Sequence, residues 1–243
     1  MDFMMAIAAI LGLGPALVLM YLVLRKYTYP AVESPFFSDP RFFSLFVVGL
    51  ISGTIIFVGY TFFNDSWGSL FVAAGFALVF ELVKLVVLNL KRFHGQSDTI
   101  FYGYGVGLGL GCTMAFGFIF YISSQTTQFF GEMGFESWVI LIIIGISYIL
   151  MQSSAGTTIG EGIARKKPWE FFFQALLISM VVQLLFVPTY TSGTAGEPLG
   201  YITLVAALLV SALFFYRTHY IKLPAIIREI LRNEARRPKE ERT

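Results

Sequence analysis

Charged side chains are scarce in this sequence of 243 residues, where they make up 13% of the chain and hydrophobic residues make up 56%. A soluble domain normally carries about 25% charged residues. The deficit excludes an ordinary soluble domain and predicts an integral membrane protein. The net charge of +2 gives no support for nucleic acid as a partner.

Cysteine and histidine are also nearly absent: the chain has one cysteine, Cys112, and two histidines, His94 and His219. One cysteine cannot form a disulfide within the chain. A zinc centre takes at least three protein ligands from histidine, cysteine or carboxylates, and both histidines are predicted near the membrane edges. The sequence therefore excludes a multi-histidine metal centre within one chain, and we expect neither a metal nor a cofactor.

Long apolar runs, by contrast, are abundant. A transmembrane helix needs about 20 apolar residues, whereas a strand of a membrane barrel needs about 10, so these runs predict an all-α integral membrane protein. The first run has no basic segment before it and is long enough to cross a bilayer, so we expect a retained helix rather than a signal peptide. The seven predicted transmembrane helices are 3–24, 43–63, 69–90, 100–122, 138–159, 169–187 and 199–216.

Basic residues are missing from three loops (64–68, 123–137 and 188–198) and from the N-terminus. Of the 17 lysines and arginines, 16 lie in the other loops or after the seventh span, and the remaining one is Lys84. Because basic residues favour the cytoplasmic side, this asymmetry predicts an N-terminus outside and a C-terminus in the cytoplasm. We refer to the side that carries the basic residues as the basic end.

Residues 1–216 are therefore predicted to form the membrane domain, and residues 217–243 a basic cytoplasmic tail. Pro224 suits the first turn of a helix, and an apolar face follows it, which predicts an amphipathic tail helix. This helix would dock onto anionic lipid or a partner, or it is a plain extension that satisfies the positive-inside rule. The apolar face consists of Ile226, Ile227, Ile230 and Leu231.

Two ionisable residues interrupt the third span, with Glu81 near the bilayer midplane and Lys84 one turn nearer the cytoplasm. An intramembrane acid is costly and is a functional-site hypothesis by default. Residues spaced i and i+3 share a helix face and can pair, although Lys84 could instead extend to the headgroups. The depth of the other spans predicts a polar midplane layer of Lys84, Gln152, Ser153, Ser154, Ser179 and Gln183 around Glu81.

Two hypotheses for Glu81 remain open at this stage, a catalytic or ion-handling group and a structural charge. An aspartic-type dyad needs a second acid, and a serine nucleophile such as Ser153 or Ser154 needs a base. No second acid and no histidine is predicted at this depth. The residues therefore favour the structural hypothesis.

Glycines occupy every other position from Gly103 to Gly111 in the fourth span. Small residues spaced by four let helix backbones approach closely in a bilayer. The two rows either pack within the chain's own bundle, or one of them faces a separate membrane protein. One row is Gly103, Gly107, Gly111 and Ala115, and the second is Gly105 and Gly109.

The motifs FELVK (80–84), YG (102–103) and GLGLG (107–111) resemble the PrsW-type family of intramembrane proteases. Its superfamily includes the CAAX prenyl proteases and the anterior-pharynx-defective subunit of γ-secretase, a non-catalytic scaffold with seven spans and an outside N-terminus. The segments GPAL (14–17) and KKPW (166–169) resemble that scaffold subunit. Against the protease pattern, Phe80 and Met114 replace acids, and Gln152 and Ser179 lie near the positions where histidines are expected.

The resemblance therefore implies a catalytically degenerate scaffold or binding subunit for another integral membrane protein, such as a membrane protease or its substrate. One alternative is an active intramembrane protease in which Glu81 activates water with help from Gln152 or Ser153. Another alternative is a seven-helix receptor or transporter. The seventh span lacks a lysine for retinal, and no inverted repeat typical of secondary transporters is visible.

Overall fold

A computed structural model describes residues 2–29, 32, 36–63, 69–124, 134–191 and 198–236. The side chains of residues 2–4, 191 and 230–236 are not described. The last seven residues of the predicted tail, and the side chains of Ile230 and Leu231 on its predicted apolar face, therefore lie outside the described residues.

Helices account for all the regular structure of the described residues, which contain no strand. Seven helices are long and apolar enough to cross a membrane, as expected of a multi-pass membrane protein. They are α1 (Asp2–Leu24), α2 (Asp39–Thr61), α3 (Leu70–Leu88), α4 (Thr99–Ser124), α5 (Phe135–Ala164), α6 (Pro168–Thr191) and α7 (Pro198–Tyr216). A π-helical segment, Arg217–Lys222, joins α7 to α8 (Leu223–Arg236), and a 3₁₀ turn, Lys91–Phe93, precedes α4.

The prediction of seven apolar helices is confirmed, with differences at their ends. Helix α2 begins four residues before the predicted span, and α5 extends beyond its predicted span by three residues at one end and five at the other. The last span differs most, since the helical path continues past Tyr216 without a break.

Helices α4 and α5 form the centre of the bundle and lie antiparallel. About three quarters of each apolar stretch is buried, 78% in α4 and 72% in α5, against 22% to 44% in the other spans. Helices α1 and α2 pack on α4, while α6 and α7 pack on α5, and α3 lies mainly against α6.

The first glycine row explains how α4 can approach α5 so closely. A Cβ atom at Gly103 would overlap the carbonyl oxygen of Gly156, and one at Gly107 would overlap the carbonyl oxygen of Gln152. A Cβ at Gly111 would lie 2.9 Å from the Cα of Ile149. Ala115 continues the row, is fully buried and packs near Gly145 of α5.

The second glycine row lets α2 approach the opposite face of α4 equally closely. A Cβ at Gly109 would overlap the carbonyl oxygen of Phe46 in α2, and one at Gly105 would lie 3.1 Å from the ring of Phe42. Both rows are thus covered by helices of this chain, so neither is free in this structure to face a separate membrane protein.

Helix α8 packs against the basic end of the bundle through Leu223, Ile226 and Ile227, which are all buried. Arg165, just after α5, donates to Glu229 of α8 at 3.0 Å and to Glu161 at 2.9 Å. Burial alone would lower the pKa of Arg165, but the hydrogen bonds and charges of these two carboxylates outweigh it and raise the pKa.

Candidate functional site

The candidate site is a buried ion pair on α3. Glu81 and Lys84 lie one helical turn apart, so their side chains project from the same face. The Lys84 Nζ donates to Glu81 Oε1 at 2.7 Å, and both side chains are 0% exposed. The alternative that Lys84 extends to the headgroups is not seen in this structure.

Side chains from two neighbouring helices form hydrogen bonds with the ion pair. Gln152 of α5 accepts a hydrogen bond from Lys84 at 2.6 Å between Nζ and Oε1. Ser179 of α6 donates its hydroxyl to Glu81 Oε1 at 2.5 Å. The four side chains therefore connect α3, α5 and α6 through charge-assisted hydrogen bonds, which are the strong kind.

The chain neighbours Phe80 of Glu81 and Met151 of Gln152 are apolar and fully buried. Phe80, Met114, Tyr148 and Met151 belong to one buried cluster, each with 0% exposure. In such surroundings removing one partner of an ion pair is strongly destabilising, because it leaves an uncompensated buried charge. The geometry is that of a fully buried ion pair in which Lys84 compensates the charge of Glu81.

Two polar atoms of the site have no hydrogen-bond partner among the described residues: Glu81 Oε2 and Gln152 Nε2. One is an acceptor and the other is a donor, and both residues are bonded to the same ammonium group of Lys84. These are the only atoms of the four-residue cluster that are buried without a partner.

The other members of the predicted polar layer make different contacts. The hydroxyls of Ser153 and Ser154 donate to the carbonyl of Leu150 in their own helix, at 3.1 and 2.7 Å. Gln183 accepts from the Tyr148 hydroxyl at 2.9 Å. The structure thus brings Gln152 and Ser179 to the ion pair, and it engages the other three residues elsewhere.

The hydrogen bond from Ser179 to Glu81 is expected to contribute modestly to the free energy of unfolding. We expect Ser179→Ala to lower the free energy of unfolding by about 1.5–3 kcal/mol, because a hydrogen bond to a charged group contributes about that much. Ser154→Ala is the matched control, since that hydroxyl bonds only a backbone carbonyl of its own helix and its loss should cost less. Both free energies would be measured by unfolding in detergent micelles. If Ser179→Ala and Ser154→Ala lose the same amount, the hydrogen bond from Ser179 to Glu81 does not add to stability in the way proposed.

Sequence reasoning missed a second buried polar cluster. His219 is only 4% exposed, and the sequence does not predict its burial within the bundle. Its Nε2 lies 3.1 Å from the Thr157 hydroxyl and its Nδ1 lies 3.2 Å from the carbonyl of Phe215. The rings of Phe215 and Tyr104 pack against the imidazole. The apolar run stops before Arg217, so the apolar pattern does not predict that helical structure continues from Tyr216 into the π-helical segment.

No metal centre is formed by the part of the chain that the structure describes, because it contains no group of three or more His, Cys, Asp or Glu side chains that could hold an ion. What the site offers chemically is one carboxylate, already bonded to an ammonium group and a hydroxyl.

Comparison of the chain with protein-family models, with curated proteins and with solved structures finds no match.

Proposed function

We propose that this multi-pass membrane protein is a non-catalytic scaffold or binding subunit for another integral membrane protein. Its N-terminus would lie outside and its basic tail in the cytoplasm. The observation that carries the proposal is the state of Glu81, which is fully buried, paired with Lys84 and bonded to Ser179. A carboxylate held in this way joins α3 to α6 and serves as a structural element.

The positions identified through the PrsW-type resemblance support this proposal. Gln152 and Ser179, which lie near the positions where that family carries histidines, are the two residues bonded to the ion pair. Phe80 and Met114, which lie where it carries acids, belong to one buried apolar cluster. This arrangement fits a protease-like architecture that keeps Glu81 and Lys84 as an ion pair and carries apolar side chains and hydrogen-bond partners in place of the other catalytic groups.

One observation favours an active intramembrane protease as the second candidate. Glu81 Oε2 and Gln152 Nε2 are buried without partners. An acceptor and a donor near one ammonium group are the groups that would hold a water molecule for peptide hydrolysis.

A cleavage comparison separates the two candidates. Cells that express the wild type or the double variant Glu81→Leu/Lys84→Met would be compared for membrane-protein fragments by quantitative mass spectrometry. We expect the same fragments in both, because a scaffold needs the fold and not the carboxylate. Fragments that disappear in the variant, while its amount and thermal unfolding stay close to the wild type, would establish the protease instead.

A further inference from the structure

A groove lined by both apolar and polar side chains opens on the outer face of the bundle. It has a volume of about 260 Å³ and lies between α6 and the helical path that continues α7. Its polar lining includes Gln174 of α6 and three residues of the π-helical segment, Arg217, Thr218 and Lys222. Gln174 lies six residues from the start of α6, which is about 9 Å along the helix axis.

The π-helical segment places two cations in this groove. Arg217 and Lys222 are five residues apart. In a regular α-helix this spacing turns two side chains well away from each other, whereas π-helical hydrogen bonds join residues five apart and bring them to one side. Neither cation forms an ion pair with a carboxylate among the described residues, since those pairs involve Lys84, Arg165 and Lys167.

Thr218 provides an independent sign that a ligand belongs in the groove. It is 2% exposed and lines the groove, and its hydroxyl has no hydrogen-bond partner in the described residues. A buried hydroxyl without a partner is uncommon in folded proteins and costs free energy. An acceptor from a bound molecule would satisfy it.

The chemistry of the groove fits a phosphate group. A guanidinium, an ammonium, a hydroxyl and the amide of Gln174 are all hydrogen-bond donors, and two of them carry positive charge. Arginine and lysine near a membrane surface attract anionic headgroups, and basic pockets between transmembrane helices bind them.

The position of the groove indicates that the phosphate belongs to a lipid. Leu177, which also lines it, is 65% exposed on the outer face of α6. Gln174 is exposed on α6 too, where an apolar residue would be expected opposite acyl chains. A ligand would therefore enter sideways from the bilayer, with its acyl chains along Leu177.

We propose that this groove binds the headgroup phosphate of an anionic phospholipid. Arg217 and Lys222 hold the phosphate oxygens, the Thr218 hydroxyl donates to one of them, and the acyl chains extend along α6. This proposal does not rest on the scaffold function. It differs from the hypothesis that the whole basic tail attracts anionic lipid, because it assigns the lipid to one defined groove.

The test is lipid binding to the full-length protein in mild detergent, followed by native mass spectrometry. Phosphatidylglycerol, phosphatidylcholine and inorganic phosphate are the three probes. We expect phosphatidylglycerol to bind at least about tenfold more tightly than phosphatidylcholine. Inorganic phosphate at the same concentration should not displace it, because a free ion lacks the acyl contacts. Displacement would identify a site for soluble phosphate and overturn the proposal.

The variant Arg217→Gln/Lys222→Gln should weaken phosphatidylglycerol binding roughly 30-fold, because each basic residue near a membrane surface contributes about a factor of five. The matched control is Lys91→Gln/Arg228→Gln. It removes two exposed charges that do not line the groove, and it should change binding less than about twofold. Equal losses in both variants would show diffuse attraction to the basic end and contradict a defined site.

Thr218→Val separates the site from the stability of the fold. Because the hydroxyl has no hydrogen-bond partner among the described residues, its removal should leave the lipid-free Tm unchanged or slightly higher. It should also weaken phosphatidylglycerol binding several-fold. A lower lipid-free Tm with unchanged lipid affinity would mean that Thr218 serves the fold alone, and the proposed headgroup contact would be wrong.

Discussion

Replacing Glu81 alone by leucine is expected to lower the free energy of unfolding by about 3–5 kcal/mol. The substitution leaves the ammonium group of Lys84 buried with only the Gln152 oxygen as a partner, and breaking one side of a buried ion pair typically costs this much. The measurement is unfolding in mixed detergent micelles at neutral pH.

The second arm of this prediction removes both charges. Apolar side chains of similar volume often replace a buried ion pair at little cost, so Glu81→Leu/Lys84→Met should recover most of the stability lost in the single variant. Partial recovery is expected, because Gln152 and Ser179 lose their charged partners. A double variant as unstable as Glu81→Leu would show that the two residues do not act as a pair.

Glu170→Gln provides the control. Glu170 also pairs with a lysine three residues away, Lys167, at 3.5 Å, but both side chains are more than half exposed. Exposed pairs contribute about 0–1 kcal/mol, so this variant should differ little from the wild type. A loss as large as that of Glu81→Leu would mean that burial of the ion pair is not what makes it important.

The second large effect is expected at the crossing of α4 and α5. Gly107→Ala would place a Cβ against the carbonyl oxygen of Gln152, where the backbone must move to admit it. Overpacking of a tight core typically costs about 1–3 kcal/mol, and Gly107→Val should exceed this and prevent folding. For both variants, the measurements are the yield of folded protein in detergent and the Tm of that protein.

Gly75→Ala on α3 is the matched control, because a Cβ at Gly75 has no atom within 4 Å. Alanine is favoured over glycine in a helix by up to about 1 kcal/mol, so this variant should be neutral or more stable. If Gly107→Ala were equally well tolerated, the close approach of α4 and α5 would not depend on the glycine row.

Much of this architecture could be predicted because its determinants are local. Apolar runs of fixed length specify the seven helices, and the spacing of Glu81 and Lys84 specifies that they share a face. Counting residues from the span ends also placed Gln152 and Ser179 at the depth of the pair, where the structure has them.

The remaining features depend on how each helix is rotated about its axis and on which helices pack together. The spacing of residues in the sequence does not encode either. Both rows consist of small residues, mostly glycine, so nothing in the sequence says which helix each row faces. Ser153 and Ser154 lie at the right depth, but serine in a helix readily bonds a carbonyl of the preceding turn, and both do so. His219 is buried because a π-helical segment extends the last span.

The most direct test of the scaffold account is the composition of the protein after gentle extraction in a native-lipid nanodisc, measured by native mass spectrometry. The account predicts a stoichiometric complex with a second integral membrane protein, retained when Glu81→Leu/Lys84→Met replaces the wild type. A chain found alone or only with copies of itself, together with membrane-protein fragments that vanish in the same variant, would contradict the account and establish an enzyme.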